Sequence, residues 1–312
     1  KQNKDSVKNL SVFVQQSGAV CEFANSDSWV ILSPIEQSIK RKIEAVGTPL
    51  KDWDINIYRG VLTGYNEAFI ISTEKREEIL ANCQSEDERE RTAELIRPIL
   101  RGRDIKRYGY NWAGLYLIAT FPSRHYDIEQ YPAVKDHLLS FGIERLEQTG
   151  KVHNVNGENI KARKKTTNKW FETQDSISYW EDFSKPKIIW KRIGSILRFS
   201  FDNIGHFGLD STCFATGENI EFICCVLNSP MGHYLLKDAP KTGTGDLLVS
   251  VQAIEPIQIP QVGLETNSEF KKLLESLIKT DSPSNEKEIS RKVLKLYDLS
   301  LDEQSYIETN FT

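Results

Sequence analysis

The sequence predicts a mixed α/β fold, in which twisted mixed or antiparallel sheets are flanked by helices and the chain ends in a helical pair. Short alternating runs such as residues 55–61 are typical of strands. Residues 35–46 carry apolar side chains at helical spacing. Two further helical segments, at about residues 268–280 and 285–297, lie near the end of the chain. The 312 residues, of which 39% are hydrophobic, are enough to bury a sizeable core.

The first part of the chain is predicted to contain a β-hairpin. Residues 55–61 and 68–71 are its two strands, and residues 63–66 (TGYN) are the tight turn between them. Before the hairpin, Ser33 and Glu36 have the spacing of a capping box at the start of the first helix. Further strands are predicted at residues 29–33, 115–120, 187–190 and 197–201.

The second half of the chain is less regular. Residues 150–168 are polar and basic and contain glycine, so they are predicted to form an exposed loop. Residues 220–227 fit either a helix or a buried strand. Residues 254–262 alternate apolar residues with prolines, a composition that ends a sheet rather than continuing it. We expect three parts in the chain: a linker or peripheral segment at 1–28, the main domain at 29–262, and C-terminal helices at 263–312.

The cysteine content indicates a reducing compartment. There are five cysteines, an odd number with irregular spacing and no C-x-x-C pair. We therefore expect buried, reduced thiols in a cytoplasmic protein, and we disfavour a zinc site built on Cys213, Cys224 and Cys225 with a histidine. No apolar run is long enough to span a bilayer, so no membrane partner is expected. The first residue is Lys1 rather than Met, which is expected of an excised or processed part of a longer protein.

Charge is distributed unevenly along the chain. The formal net charge is −4, which by itself argues against a nucleic-acid partner. Three stretches are nevertheless basic, at residues 97–107, 161–169 and 185–198. Only the first of them contains an acidic residue, Asp104. A fold that brings the three stretches together would have one positive face, suited to neutralising DNA phosphates.

Motifs for catalysis are missing from the sequence. It contains no P-loop, no G-x-G-x-x-G, no G-x-S-x-G and no H-E-x-x-H. Glu181 and Asp182 before Lys185 and Lys187 only faintly resemble the acids and lysine of a metal-dependent nuclease, and a solvated turn is the preferred interpretation. Residues 228–231 (NSPM) lack the second proline and the aromatic ring of an amino-methyltransferase loop. We therefore expect a chain without a catalytic site of its own.

Two ordered motifs resemble a known family. Residues 59–71 (RGVLTGYNEAFII) and residues 96–108 (IRPILRGRDIKRY) resemble conserved segments of TaqI-like C-terminal specificity domains. Shorter matches follow in the same order as far as the closing helix, around residues 289–307, so the resemblance covers most of the chain from about Trp29. Residues 151–169 and 193–216 match nothing in the family pattern.

The resemblance implies a function and linked domains. Such domains are the target recognition domains of adenine-N6 DNA methyltransferases and of fused type IIG restriction-modification enzymes. This would make residues 29–262 a target recognition domain that clamps double-stranded DNA, reads a short site and positions an adenine for flipping. The resemblance also implies an upstream methyltransferase that uses S-adenosylmethionine, often with a nuclease that uses Mg²⁺, and we expect neither the domains nor the cofactors in this chain.

The candidate DNA contacts come from the basic stretches and the glycine turns, because Arg, Lys, Thr and turn amides bind phosphates and Arg also binds guanine. The alternative for Gly60 and Gly64 is a turn that needs positive φ, and for Asp104 it is an ion pair that orders Arg101 or Arg107. The candidates are Arg59, Thr63, Tyr65, Asn66, Arg101, Arg103, Lys106, Arg107, Lys161, Arg163, Lys164, Lys165, Lys191, Arg192, Arg198, Lys241, Thr242 and Thr244.

Three other functions are kept as alternatives: the recognition domain of a phage-defence methylase, a stand-alone nuclease, and an assembly module that docks a protein through its terminal helices. Cleavage of DNA by this chain alone would support the nuclease. Weak DNA binding that is insensitive to salt would support the assembly module.

Overall fold

The computed structural model of the chain describes residues 32–280 and 282–311. The predicted linker at 1–28, most of the predicted strand at 29–33, and Cys21 lie outside these residues. The strands, numbered in chain order, are β1 (Gly47–Pro49), β2 (Ile55–Arg59), β3 (Ile70–Ser72), β4 (Ile96–Leu100), β5 (Leu115–Ile118), β6 (Val152–Val155), β7 (Glu158–Lys161), β8 (Lys187–Lys191), β9 (Ile193–Gly194), β10 (Phe199–Asp202), β11 (Phe207–Gly208), β12 (Thr212–Gly217), β13 (Leu247–Leu248) and β14 (Gln258–Pro260). The α-helices are α1 (Pro34–Val46), α2 (Asn66–Phe69), α3 (Thr73–Ala81), α4 (Glu86–Leu95), α5 (Pro132–Leu139), α6 (Ile143–Leu146), α7 (Ile220–Asn228), α8 (Pro230–Leu235), α9 (Val251–Ile254), α10 (Leu264–Thr280), α11 (Pro283–Leu296) and α12 (Leu301–Phe311).

A four-stranded antiparallel sheet, which we call the central sheet, has the strand order β10-β8-β12-β2. Strand β8 shows why both faces of this sheet are buried. Ile188 and Trp190 point into one hydrophobic core, whereas Ile189 between them points into the other. Because side chains alternate along a strand, a continuous apolar run is what a strand with two covered faces requires.

The second sheet has the order β11-β4-β5-β3, with β11 parallel to β4 and the other pairs antiparallel. This arrangement shows that the predicted hairpin of residues 55–61 and 68–71 is wrong. Strand β2 pairs with β12 in the central sheet, and β3 pairs with β5 in the second sheet. Between them, residues 66–69 form the helical turn α2, because Ala68 and Phe69 are buried in the second core.

The predicted first helix and C-terminal helical pair are confirmed. Helix α1 begins with the Ser33–Glu36 capping box. Helices α10 and α11 bury Phe270, Leu274 and Ile289, among others, against the core that also contains one face of the central sheet. Helix α12 follows them, and residues 220–227 lie in helix α7 rather than in a strand. The domain boundaries stay a prediction.

Two weakly patterned segments form strands. Residues 254–262 contain β14, which pairs with β1 in a separate two-stranded sheet. The predicted exposed loop at 150–168 contains the hairpin β6–β7. Asn156 and Gly157 at its tip both have positive φ, which is the geometry of the tight turns that join two antiparallel strands. No helix in the described part of the chain is long and apolar enough to cross a membrane.

Candidate nucleic-acid interface

One end of the central sheet carries basic side chains from neighbouring strands. In the antiparallel register, Arg59 at the end of β2 lies opposite Cys213, and Lys191 at the end of β8 lies opposite Thr212. Arg192 follows directly, and its amide donates a hydrogen bond to the Ser211 carbonyl at 2.9 Å. Three cations from two segments that are far apart in sequence therefore lie at the same end of one sheet.

Cys213 lies on β12, between the strand that carries Arg59 and the strand that leads to Arg192. Burial raises the pKa of Cys213 to about 11, and the positive charges of Arg192 and Arg59 both oppose that increase. The Nε atom of Arg192 is buried without a hydrogen-bond partner in the described part of the chain. Arg192 as a whole is half-buried at this end of the sheet.

The turn after β4 adds two more arginines to this end. Its Gly102 amide donates to the Ser211 hydroxyl at 3.2 Å, and a Cβ atom at Gly102 would lie 2.9 Å from Cγ of Lys191. The turn can pack this closely because residue 102 has no side chain. Arg103 is exposed beside it. We call Arg59, Arg101, Arg103, Lys191 and Arg192 the basic end.

Asp104 fixes the side chain of Arg101. Its carboxylate accepts hydrogen bonds from the backbone amide, Nε and Nη2 of Arg101 at 2.8, 3.0 and 2.8 Å. Burial alone would raise the pKa of Asp104, but the hydrogen bonds from Arg101 outweigh it and the pKa is lowered. Asp104 therefore forms the ion pair that was considered as its alternative role, and the arginine that it orders is Arg101.

A short ribbon extends from the same end. The Val249 amide donates to the Arg192 carbonyl at 2.8 Å, next to the pair β9–β13. The ribbon continues into the turn at residues 241–246, in which the hydroxyls of Thr242 and Thr244 lie 2.8 Å apart. Lys241 and Thr244 are exposed, so the Gly/Thr turn presents a cation and a hydroxyl beside the basic end.

The third basic stretch, residues 161–169, which we call the lysine loop, is divided between surface and core. Lys161, Lys164 and Lys165 are exposed. Arg163 is only 4% exposed, and its guanidinium donates to the backbone carbonyls of residues 63, 146, 170 and 172 at 2.6–2.9 Å. Burial lowers the pKa of Arg163 to about 10. We therefore reassign Arg163 from the DNA face to the fold.

The turn at residues 63–66 supports the lysine loop. Thr63 is fully buried, and its hydroxyl donates to Oδ1 of Asn66 at 2.6 Å, so it is likewise reassigned from the DNA face to the fold. Gly64 has a φ of +80°, and a Cβ there would lie 2.6 Å from Oε1 of Gln174. Tyr65 packs edge-on against a neighbouring aromatic ring, whereas Asn66 is exposed. Gly64 therefore has the alternative role considered for it, in a turn that needs a positive φ.

A short segment connects the lysine loop to the basic end. The Gln174 side-chain amide donates to the Lys164 carbonyl at 3.3 Å, and Asp175 pairs with Arg59 at 3.2 Å. Gln174 and Asp175 are therefore positioning residues. They were not predicted as site residues, because 116 residues separate Arg59 from Asp175 and no local pattern links them. The structure thus joins parts of three basic stretches through local contacts.

Other predicted residues lie elsewhere or have no described partner. Arg107 pairs with Glu286 of α11 at 2.6 Å and donates to the Asn228 carbonyl at 2.7 Å, so it is reassigned to the contact with the C-terminal helices. Lys106 is exposed and lines a cleft of about 750 Å³ next to α10. Arg198 is half-buried, and it forms no ion pair with any residue that the structure describes.

Of the residues that faintly resembled a nuclease site, Glu181 and Lys185 are exposed, whereas Lys187 is used inside the fold. Lys187 is fully buried and contacts Asp202, itself fully buried, at 2.5 Å. Asp202 also accepts from Tyr110 and contacts Nδ1 of His206, both at 3.0 Å. In the ranges 32–280 and 282–311, no three His, Cys, Asp or Glu side chains are grouped so that they could hold a metal ion.

A family comparison identifies the fold that carries these side chains. The family model described as the TaqI-like C-terminal specificity domain matches residues 97–255, about half of the chain. The chain belongs to this family. The match begins inside the second motif, residues 96–108, and the first motif at 59–71 lies before it. A comparison with curated proteins found no match.

Two solved structures match this chain at low sequence identity. The type IIL restriction-modification enzyme MmeI, in complex with DNA, matches with a TM-score of 0.54 and 9% identity, over 85% of this chain and 36% of that one. The type IIG restriction endonuclease BpuSI matches with a TM-score of 0.43 and 12% identity, over 87% of this chain and 33% of that one. The specificity domain therefore spans about a third of the length of these enzymes.

Proposed function

We propose that this chain is the domain of a restriction-modification enzyme that recognises a sequence in duplex DNA. The observation that carries the proposal is the basic end, where Arg59, Arg101, Arg103, Lys191 and Arg192 come together on a chain whose net charge is negative. Arginines held at a sheet end by register and hydrogen bonds can read guanine edges, and the neighbouring lysines can neutralise phosphates. The family membership and the MmeI structure in complex with DNA support the same function.

The lysine loop and the Gly/Thr turn extend the proposed DNA face on either side. Lys161, Lys164 and Lys165 contribute mobile positive charge, which gives affinity that depends on salt rather than on sequence. The exposed turn at 241–246 offers a lysine, hydroxyls and backbone amides, a combination that binds phosphate oxygens. In this proposal the arginines at the sheet end provide sequence recognition, whereas the lysines and the turn position the duplex.

The chemistry is assigned to domains linked to this chain. We propose an upstream adenine-N6 methyltransferase, for which this domain holds the duplex while the target adenine is flipped, together with a linked nuclease. S-adenosylmethionine and Mg²⁺ belong to those domains in this proposal. No step of either reaction is assigned to residues of the chain described above.

Binding measured at several salt concentrations tests the proposal. The purified chain is titrated with a pool of random duplexes, bound molecules are selected over several rounds, and the Kd of the enriched duplex is measured from 50 to 200 mM salt. A single enriched sequence motif and a Kd that rises steeply with salt are expected. Binding without any enriched motif, or a Kd that does not change with salt, would contradict recognition by this chain. Incubation of the same duplex with Mg²⁺ tests the nuclease alternative.

A further inference from the structure

A separate cavity lies beside the second sheet, near the start of β4, whereas the basic end lies beyond the end of β4. It has a volume of about 310 Å³ and is bordered by the start of β4, by the segment after β5, and by Trp180. Arg97, the second residue of β4, lines it, whereas Arg101 follows the last residue of the same strand. Four residues of extended chain correspond to about 13 Å. The cavity is therefore distinct from the proposed DNA face.

The charged lining of this cavity is mostly positive. Arg91, Arg97 and Arg124 line it, together with one acidic residue, Glu94. None of the three arginines forms an ion pair with a carboxylate of residues 32–280 or 282–311. Arg91 and Arg124 both border this cavity together with Tyr131. Three guanidinium groups without carboxylate partners make a site for an anion, and phosphate matches their fork of donors.

The remaining lining is aromatic and is already used for stacking. The guanidinium carbon of Arg124 lies 3.9 Å from the ring centre of Trp180 and 5.8 Å from that of Tyr126. Arg97 lies 5.8 Å from the ring centre of Phe207. Nucleobases stack on aromatic rings and on guanidinium planes in the same way. Arg124 is exposed, so the face of its guanidinium that is turned away from Trp180 is open to a planar base.

We propose that this cavity binds one nucleoside phosphate, with the phosphate on the arginines and the base stacked at Trp180 and Arg124. The volume is at the lower end of the range for small-molecule sites, which suits one nucleotide rather than a longer segment. The same chemistry is offered by a free mononucleotide and by a single unpaired nucleotide in a DNA strand. A base inside an intact duplex cannot enter, because both of its faces are covered by its neighbours.

Titration with AMP tests this site. AMP is added to the purified chain while tryptophan fluorescence and heat of binding are followed, with adenosine and inorganic phosphate titrated separately. Saturable AMP binding is expected, and adenosine and phosphate are each expected to bind at least tenfold more weakly. Arg97→Ala and Arg124→Ala should each weaken AMP binding at least tenfold, whereas the double variant Lys164→Ala, Lys165→Ala should leave it unchanged.

A second arm distinguishes the two sources of the nucleotide. A duplex with one unpaired nucleotide is compared with the same duplex fully paired, in competition with AMP. Displacement of AMP only by the unpaired duplex assigns the site to a DNA strand, and displacement by neither duplex assigns it to a free nucleotide. Arg124→Lys keeps the charge but not the planar group, so it should bind AMP more weakly than the wild type and more tightly than Arg124→Ala.

Three results would overturn the inference: no saturable binding of AMP and no preference for the unpaired duplex, phosphate bound as tightly as AMP, or AMP binding that is lost in the lysine-loop variant but kept in Arg124→Ala. The thermal unfolding midpoint of each variant is measured first, so that loss of the fold is recognised. Binding of fully paired duplex tests the basic end alone. Loss of AMP binding with duplex binding intact would therefore contradict only the cavity, and loss of duplex binding would contradict the proposed function.

Discussion

Arg163 and Lys164 are neighbours in the chain, yet they lie in opposite environments. Lys164 is exposed to solvent, whereas Arg163 is buried and surrounded by four backbone carbonyl groups. Strand β8 repeats the contrast, because Lys187 at its start is buried against Asp202 and Lys191 at its end is exposed at the basic end. A basic stretch of sequence therefore supplies two kinds of cation, one that holds the fold together and one that is free to bind an anion.

The largest effect is expected from Lys187→Met. It removes the cation beside Asp202 and leaves a fully buried carboxylate with only Tyr110 and His206 as side-chain partners. An uncompensated buried charge costs about 3–5 kcal/mol. The free energy of unfolding from urea titration should fall by that amount. Lys191→Met is the matched control in the same strand and should leave this free energy unchanged; a similar loss in both variants would remove the distinction drawn here.

The same buried cluster predicts loss of stability in acid. Burial alone would raise the pKa of Asp202, but the hydrogen bond with His206 and the charge of Lys187 outweigh it and hold the pKa well below its usual range. The unfolded chain therefore takes up a proton at Asp202 first, at a pH of about 4. The stability that Asp202 contributes should be complete above that pH and should decrease as the pH falls further. Urea titrations between pH 7 and pH 3 measure this, and a flat profile over that range would contradict it.

The second largest effect is expected from Arg163→Met. The variant keeps much of the apolar stem but leaves the backbone carbonyls of residues 146 and 170 without the donor that Arg163 supplies. The carbonyls of residues 63 and 172 each lose one donor and keep another, from the Gln174 amide and the Gln148 side chain. Buried acceptors without partners should lower the free energy of unfolding by about 2–4 kcal/mol. Lys164→Ala is the matched neighbour and should not change it. If Arg163→Met weakened DNA binding with the fold intact, Arg163 would return to the DNA face.

Local pattern allowed some of these elements to be predicted and not others. The Ser33–Glu36 capping box and the helices after residue 262 were confirmed, because each depends on residues within a few positions of one another. Residues 55–59 and 70–71 were correctly predicted to be extended, whereas residues 68–69 are helical and the predicted pairing of the two strands was wrong. Alternation shows that a segment is a strand, but it contains no information about which distant strand will be its partner.

The candidate site shows the same limit. The basic stretches could be read directly from the sequence, and so could the ion pair of Arg101 with Asp104 three residues away. Nothing local distinguished Arg163 from Lys164, because burial of Arg163 depends on carbonyls up to 100 residues away. The Asn156-Gly157 turn of the hairpin β6–β7 was a usable local signal in a segment predicted to be a loop.

The lysine loop gives a test of the exposed class of cations. Lys164→Ala combined with Lys165→Ala should weaken duplex binding roughly tenfold and reduce the slope of log K against log salt by about 2, because two phosphate contacts are lost. Unfolding should be unaffected, since both side chains are exposed. The double variant Lys271→Ala, Lys272→Ala removes two cations from helix α10 and serves as the control. Equal losses of affinity in both double variants would indicate a general charge effect.

The smallest effect is expected from Arg107→Ala, and it tests a cation that belongs to neither class completely. Its guanidinium joins the segment after β4 to α11 through Glu286 and to the end of α7 through the carbonyl of Asn228. The ion pair is about one-third exposed, so solvent screens it, and loss of stability should be only about 1 kcal/mol.

The value of this variant lies in what should not change. Glu286→Ala should lower the unfolding free energy by a similar amount, and the double variant should cost less than the sum of the two, because both changes remove the same contact. Duplex binding should stay at the wild-type level in Arg107→Ala and should fall in Arg103→Ala, four residues away and exposed. If Arg107→Ala weakens DNA binding as much as Arg103→Ala does, the DNA face extends over the contact with the C-terminal helices. Arg107 would then belong to the cations that bind DNA rather than to those that hold the fold together.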